Sequence, residues 1–220
     1  MCGLIGGKNT ALKQSSLEFL EHRGPDDSGW FEDGEVVLGH TRLSIQDLSS
    51  FGSQPVVSSD GSVVLVYNGE IYNVAELRRI LVDRGVEFEG SSDTEVLLHL
   101  YLWKGKDILR EINGIYAFAF WDKRKEEFWL ARDEFGIKPL YYYMDSERFI
   151  FSSELKAISQ ISFIDRKLDA EALAGHLSFL WTPSPPTLFT NIQKLKPGHH
   201  LTYRMGNFEI KSFYRIPYNG

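Results

Sequence analysis

Cys2 is the only thiol in the sequence and directly follows the initiator methionine. If Met1 is removed, which the small side chain of Cys2 allows, one residue carries both a thiol and a free α-amine. An α-amine titrates at about 8, so a sizeable fraction is a neutral base at pH 7. It can take the thiol proton, directly or through one water, and return it to a leaving amine. As a plain structural residue, Cys2 would be a small apolar side chain opening a first strand. A papain-like Cys/His pair is the other chemical reading, since six His are present. A chain terminus is, however, a poor place to orient an internal nucleophile.

Three further segments offer groups that such a nucleophile would need. Tyr67-Asn68-Gly69-Glu70-Ile71-Tyr72-Asn73 follows a strongly apolar run. Asn-Gly alone reads as a turn. The Asn68 amide and the Gly69 N–H could instead converge on an oxygen that gains negative charge during acyl transfer, and a glycine permits close backbone approach. Gly39-His40-Thr41-Arg42-Leu43-Ser44 places an arginine in an apolar, strand-like setting. Arg42 is a surface cation or structural ion pair on the plainer reading, and a two-pronged carboxylate ligand on the sharper one. Ser91-Ser92-Asp93-Thr94-Glu95 puts Asp93 at the first position of a predicted helix, where the helix dipole alone favours an acid. With Glu70, Asp93 could also hold an ammonium. A carboxylate-binding Arg42 and ammonium-binding acids together suit a zwitterionic amino acid whose side-chain amide faces Cys2. The polar segment His22-Arg23-Gly24-Pro25-Asp26-Asp27-Ser28-Gly29 reads as turns, with His22 in a supporting role.

The elements that must position these groups are mostly short strands. The runs 35–43, 62–67, 114–122, 127–131, 139–144 and 148–152 are rich in Val, Ile, Tyr, Phe and Trp and bounded by turn formers. The gaps between the later runs are too short for crossover helices, so antiparallel pairing is expected. Ile115 to Trp121 is apolar on both alternating faces apart from Tyr116, as in a strand covered on two sides. Helices are predicted over 74–84, with Asn73 and Glu76 as a capping box, after Ser92 with Glu95 as a second box, and after Asp169 carrying Leu173, Leu177 and Leu180. Helices covering the outer faces of two stacked sheets give a layered α+β domain. Pro183, Pro185 and Pro186 make 182–187 linker-like, and a hairpin is expected around Gly206.

With 220 residues the chain can bury a core without a disulfide or metal staple. A net charge of −6 argues against a general affinity for nucleic acid or an anionic membrane. The amino terminus lacks a basic start and an apolar run of signal-peptide length, and no apolar stretch reaches the roughly twenty residues of a membrane span. A cytoplasmic protein acting on a small molecule or a protein is expected. No HExxH, phosphate loop or acidic calcium loop is present, so no metal or nucleotide site is expected in this chain.

Together the strings MCGLIGG, HRGPDDSG, HTRLSI, Gln54-Pro55, NGEIYN, SSDTE, ARDEFGIKPLYY, SSELKA and KLKPGHHL run through nearly the whole chain. In this order they resemble the class II glutamine amidotransferase domain, an N-terminal nucleophile hydrolase, in its asparagine synthetase branch. The resemblance implies a four-layer αββα sandwich of two antiparallel sheets. It also implies hydrolysis of L-glutamine to glutamate and ammonia through a γ-glutamyl thioester. Carried over by motif, Cys2 is the nucleophile and its amine the base, and Asn68 and Gly69 form the oxyanion hole. Arg42 is the carboxylate ligand, Glu70 and Asp93 position the α-amino group, and Leu43 and Ile45 line the pocket.

The family implies a partner, an ATP-dependent synthetase domain in cis or in trans, with ATP and Mg expected only there. The reading is of one domain over 1–220, whose part from about 165 onward is a C-terminal extension leading toward that absent domain. The segment between Gly7 and the HRGP string is shorter than the family pattern. Alternatives are a glutamine-binding module that does not hydrolyse, an amidotransferase for an acceptor other than aspartate, and another amide hydrolase of the same fold.

Overall fold

The computed structural model describes residues 1–45 and 47–217. Twelve strands form in chain order: β1 Gly3–Lys8, β2 Asp27–Asp33, β3 Val36–Arg42, β4 Val56–Val57, β5 Val63–Ile71, β6 Gly114–Asp122, β7 Glu127–Arg132, β8 Tyr141–Met144, β9 Phe149–Ser152, β10 Ile192–Lys194, β11 His199–Arg204 and β12 Asn207–Ser212. They build two six-stranded antiparallel sheets, ordered β10-β8-β9-β1-β3-β2 and β12-β11-β7-β6-β5-β4. The helices are α1 Val74–Val82, α2 Asp93–Lys104, α3 Leu155–Ser159 and α4 Ala170–Phe179, with short 3-10 turns over 14–23 and 105–110.

Side-chain alternation sorts the apolar residues into three layers. Leu4, Leu38, Val64, Val66, Ala117, Ala119, Phe149 and Phe151 fill the space between the sheets. Tyr67, Phe118, Phe120 and Trp129 face α1 and α2 on one outer surface, where Leu77, Leu81, Val96 and Leu97 meet them. Ile5, Val37 and Ile150 face α3 and the first 3-10 turns on the other. Strand β6 shows the division well: Tyr116, Phe118 and Phe120 pack outward against helix, while Ala117, Ala119 and Trp121 face the other sheet, so every residue from Tyr116 to Trp121 is buried. The result is an α+β, four-layer αββα sandwich.

Several local expectations change. Asp27–Asp33 is an edge strand paired with β3 rather than a turn. Asn68-Gly69 is not a turn either: β5 runs on to Ile71, and Asn68 and Gly69 pair with Ala117 and Tyr116. Asn73 does not cap α1. Its amide donates to the Glu111 carbonyl and its oxygen accepts from Asn113 N–H, tying the helix start to the segment just before β6. Ser92 does cap α2, accepting from Glu95 N–H at 3.3 Å, but the Glu95 carboxylate turns to the N–H groups of Glu89 and Gly90. Helix α4 forms after its Asp169 cap, yet Leu177 and Leu180 face outward. The hairpin at Gly206 is present, and residues 192–212 supply strands to both sheets.

Candidate functional site

The apolar layer between the sheets gives out at one end, in register. Along β1 the inward positions run from Leu4 to Cys2; along β3 from Leu38 to His40 and Arg42; along β5 from Val66 to Asn68 and Glu70. This follows from the strand period of two, which keeps alternate residues on one face. The polar rung opens onto a cavity of about 270 Å³ lined by Cys2, Arg42, Leu43, Ile45, Asn68, Gly69, Glu70 and Asp93, with Met1, Asp47, Gln54, Tyr67 and Lys138 also on its wall. The eight residues carried over by motif therefore meet in one place.

The half-buried Cys2 thiol lies beside Leu43, whose N–H donates to Sγ at 3.4 Å and whose carbonyl is 3.7 Å from it. The Cys2 carbonyl accepts from Arg23 Nε at 3.0 Å, and the same guanidinium pairs with Glu154 at 2.6 Å. Arg23 thus anchors the terminal residue. His22, expected to support the site, lies outside the cavity, with Glu154 and Lys156 as neighbours. With Met1 in place, the terminal ammonium is held below its ordinary value. Burial is the main cause; the charges of Arg23 and Lys138 act in the same direction, and those of Cys2 and Asp26 oppose it.

The donors on β5 are presented by strand geometry. The Tyr116 carbonyl accepts from Asp133 N–H and the Tyr116 N–H donates to Asp133 Oδ2, both on the β7 side, so its opposite residue Gly69 turns its own N–H away from β6. The N–H groups on either side of it along that edge are taken: Tyr67 N–H by Gln54 Oε1 at 2.6 Å and Ile71 N–H by Asp93 Oδ2 at 3.1 Å. A side chain at position 69 would place Cβ 2.5 Å from the Ile115 carbonyl, which explains the glycine. Asn68 is 2% exposed, and its amide nitrogen is buried with no hydrogen-bond partner among the described residues. Leaving such a donor unmatched costs about 1–3 kcal/mol, so it marks a position that the fold alone does not account for.

Behind these donors is a polar clamp. Gln54 Nε2 and His40 Nε2 both donate to the Tyr67 carbonyl at 3.1 Å, and Gln54 also reaches Thr94. Burial pushes His40 down to about 4, against the raising effect of the Tyr67 bond, so the ring is neutral at pH 7. A carbonyl can only accept, which places the ring proton on Nε2.

Elsewhere on the cavity wall, the Arg42 guanidinium donates to the carbonyls of Asp47 and Ser49. Asp47 in turn accepts from Ser49 and Ser91, bonds that hold its carboxyl well below the usual range. Asp93, at the start of α2, accepts from the Tyr67 hydroxyl at 2.7 Å. Burial raises the Asp93 carboxyl above its usual range, although the Tyr67 and Ile71 bonds favour its charged form. The cavity therefore offers the Arg42 guanidinium, the carboxyl groups of Glu70 and Asp93, a thiol and two backbone or amide donors within one amino-acid-sized space, with Asp47 taken up by Ser49 and Ser91.

Arg23, Gln54, Tyr67 and Lys138 were not singled out as site residues by sequence reasoning. Arg23, Gln54 and Lys138 lie in the strings HRGPDDSG, Gln54-Pro55 and ARDEFGIKPLYY, which carried the resemblance.

A family model described as the glutamine amidotransferase domain matches residues 1–214. The chain belongs to this family. Among curated relatives, this amidotransferase domain is 38% identical over 226 residues to asparagine synthetase [glutamine-hydrolyzing] 1 of Bacillus subtilis, covering 98% of the chain and 35% of that protein. It is 34% identical to asparagine synthetase [glutamine-hydrolyzing] 3 of the same organism, covering 98% of the chain and 37% of that protein. Amidase chry2 of Gibberella zeae is 37% identical over 194 residues, covering 87% of the chain and 28% of that protein. The chain thus spans well under half of these relatives. The solved glutamine phosphoribosylpyrophosphate amidotransferase of Bacillus subtilis shares the fold, with a TM-score of 0.72 at 22% identity, over 97% of this chain and 49% of that one. No helix among the described residues is long and apolar enough to cross a membrane.

Proposed function

We propose that this domain hydrolyses the side-chain amide of L-glutamine through Cys2 and supplies the ammonia to a carboxylate-amidating synthetase. The observation that carries the reading is the convergence of the Cys2 thiol, the unpartnered Asn68 amide and the edge-facing Gly69 N–H on the cavity that Arg42, Glu70 and Asp93 also line. In this reading Met1 is removed and the Cys2 α-amine accepts the thiol proton. Sγ attacks the amide carbon, and the oxygen that gains charge is received by Asn68 Nδ2 and Gly69 N–H. The amine then returns the proton to the departing nitrogen. Ammonia leaves, and water cleaves the γ-glutamyl thioester to glutamate. Arg42 holds the substrate carboxylate, Glu70 and Asp93 its ammonium, and Leu43 and Ile45 bound the pocket.

The acceptor follows from the relatives: the asparagine synthetase names favour aspartate, and the relatives named amidases leave room for other carboxylates. ATP and Mg belong to the synthetase unit, in cis or in trans, and a cytoplasmic setting is part of the same proposal. Catalysis is favoured over a purely glutamine-binding role because the cavity wall carries a thiol nucleophile, which binding a zwitterionic amino acid does not require. The test is ammonia and glutamate release by the Met1-processed protein and by Cys2→Ala. Release from glutamine but not from asparagine or simple amides is expected, and Cys2→Ala should abolish it. Undiminished release by that variant refutes the mechanism.

A further inference from the structure

The loop after β7 is held with unusual care. Asp133, fully buried, accepts backbone N–H bonds from Tyr116, Phe135, Ile137 and Lys138 at 2.9–3.3 Å. Arg132 donates to the carbonyls of Gly136, Lys138 and Leu195 at 2.6–2.7 Å. The apolar side chains this loop carries, Phe135 and Ile137, are left exposed, so the bonds do not serve to bury them. They deliver Lys138 to the wall of the cavity that holds residue 2, where its side chain makes no hydrogen bond or ion pair among the described residues. An ammonium so placed acts through its field.

We infer that Lys138 is a positioning residue for the proton transfer: its unpaired charge keeps the terminal amine in the neutral, proton-accepting form. The inference rests on the proposed use of that amine as the base. The other titratable or charged groups facing the terminus are Arg23, from the 3-10 turn 21–23, Asp26, from the loop before β2, and the Cys2 thiol, whose charge acts against that of Lys138. Arg23 is already paired with Glu154, and Asp26 accepts from Ser44 N–H. Arg42, Asp47, Glu70 and Asp93 lie elsewhere on the cavity wall. Asp47 is engaged by Ser49 and Ser91, Arg42 by carbonyls and Asp93 by Tyr67, while the Lys138 ammonium on the same cavity wall has no hydrogen-bond or ion-pair partner among the described residues. The field agrees in sign: with Met1 present, Lys138 is among the charges that lower the terminal ammonium, after burial.

The test is the pH profile of kcat/KM for glutamate release, measured on the purified, Met1-processed protein and on Lys138→Met and Lys138→Arg. The acid limb reports the free-enzyme base. Removing a neighbouring positive charge raises the amine pKa, so the limb of Lys138→Met should move to higher pH by about half a unit to one unit. At pH 6.5 that is a loss of roughly three- to tenfold that disappears at high pH. Lys138→Arg should restore the parent profile. A merely structural role would lower activity by the same factor at every pH, and a role in anchoring substrate would raise KM with the limb unmoved. Either result overturns the inference. If the limb stays fixed while Cys2→Ala remains inactive, only the role of Lys138 fails. Activity in Cys2→Ala would instead remove the reading beneath it.

Discussion

Asn68→Ala should separate stability from catalysis in opposite directions. In the folded chain the Asn68 amide nitrogen is buried without a partner among the described residues, a condition that costs about 1–3 kcal/mol. Truncation removes that unmet donor and also removes packing atoms, so the net change in folding free energy should lie within about 1 kcal/mol of zero, with no large loss. In the reaction the same nitrogen is one of two donors to the developing oxyanion, the other being Gly69 N–H. Loss of one such donor typically lowers kcat by about 10²–10³, or about 2.7–4 kcal/mol. The assay is steady-state glutamate release beside denaturant unfolding of the same preparations. A kcat reduced a hundredfold, with KM little changed and the unfolding midpoint preserved, is expected. A variant that loses less than about tenfold in kcat, or whose loss follows a matching loss of folded protein, refutes the oxyanion assignment.

Other expectations follow from the same geometry. Asp93→Asn should raise KM for glutamine far more than it lowers kcat, since the change removes an ammonium partner. Because burial raises this carboxyl, the parent enzyme's KM should begin to climb on acidification at a higher pH than an ordinary aspartate would give. Gly69→Ala forces Cβ to 2.5 Å from the Ile115 carbonyl, so β5 must shift, and both the unfolding midpoint and activity should fall. At Asp122, burial alone would raise the carboxyl, but the bonds and charges of Arg124 and Lys125 bring it from 3.8 to about 2. A depressed acid stabilises the fold above its unfolded pKa and loses that contribution as the pH falls toward its folded one. Stability should therefore drop between pH 3.8 and about 2, and Asp122→Asn should flatten that part of an acid-unfolding curve.

The site's reacting groups were legible because each sits in a short contiguous string: a thiol behind Met1, Asn-Gly after an apolar run, and an acid at a helix start. What surrounds them was not. Arg23 matters through a carbonyl 21 positions away and an acid 131 positions away. Gln54 matters by mimicking a strand partner for Tyr67. Such roles depend on how separate segments meet, which no local pattern encodes. The sheet cores were readable from alternation, most clearly in β6. β2 was hidden because Asp, Ser and Gly at its start carry turn chemistry while ladder bonds to β3 decide its state. Asn73 similarly matched a cap by spacing, but tertiary partners claimed its amide. Leu177 and Leu180 matched a buried stripe, yet α4 packs chiefly through Ala172.

The step from hydrocarbon to polar side chains along β1, β3 and β5 has a consequence for how tolerant this protein is to change. The reactive groups occupy the last rung of a ladder whose lower rungs already close the two sheets together. That final rung can be rewritten without undermining the rungs beneath it. A chain carrying inert side chains at positions 2, 42 and 68 should still assemble the sandwich, so the architecture can outlive the chemistry it hosts.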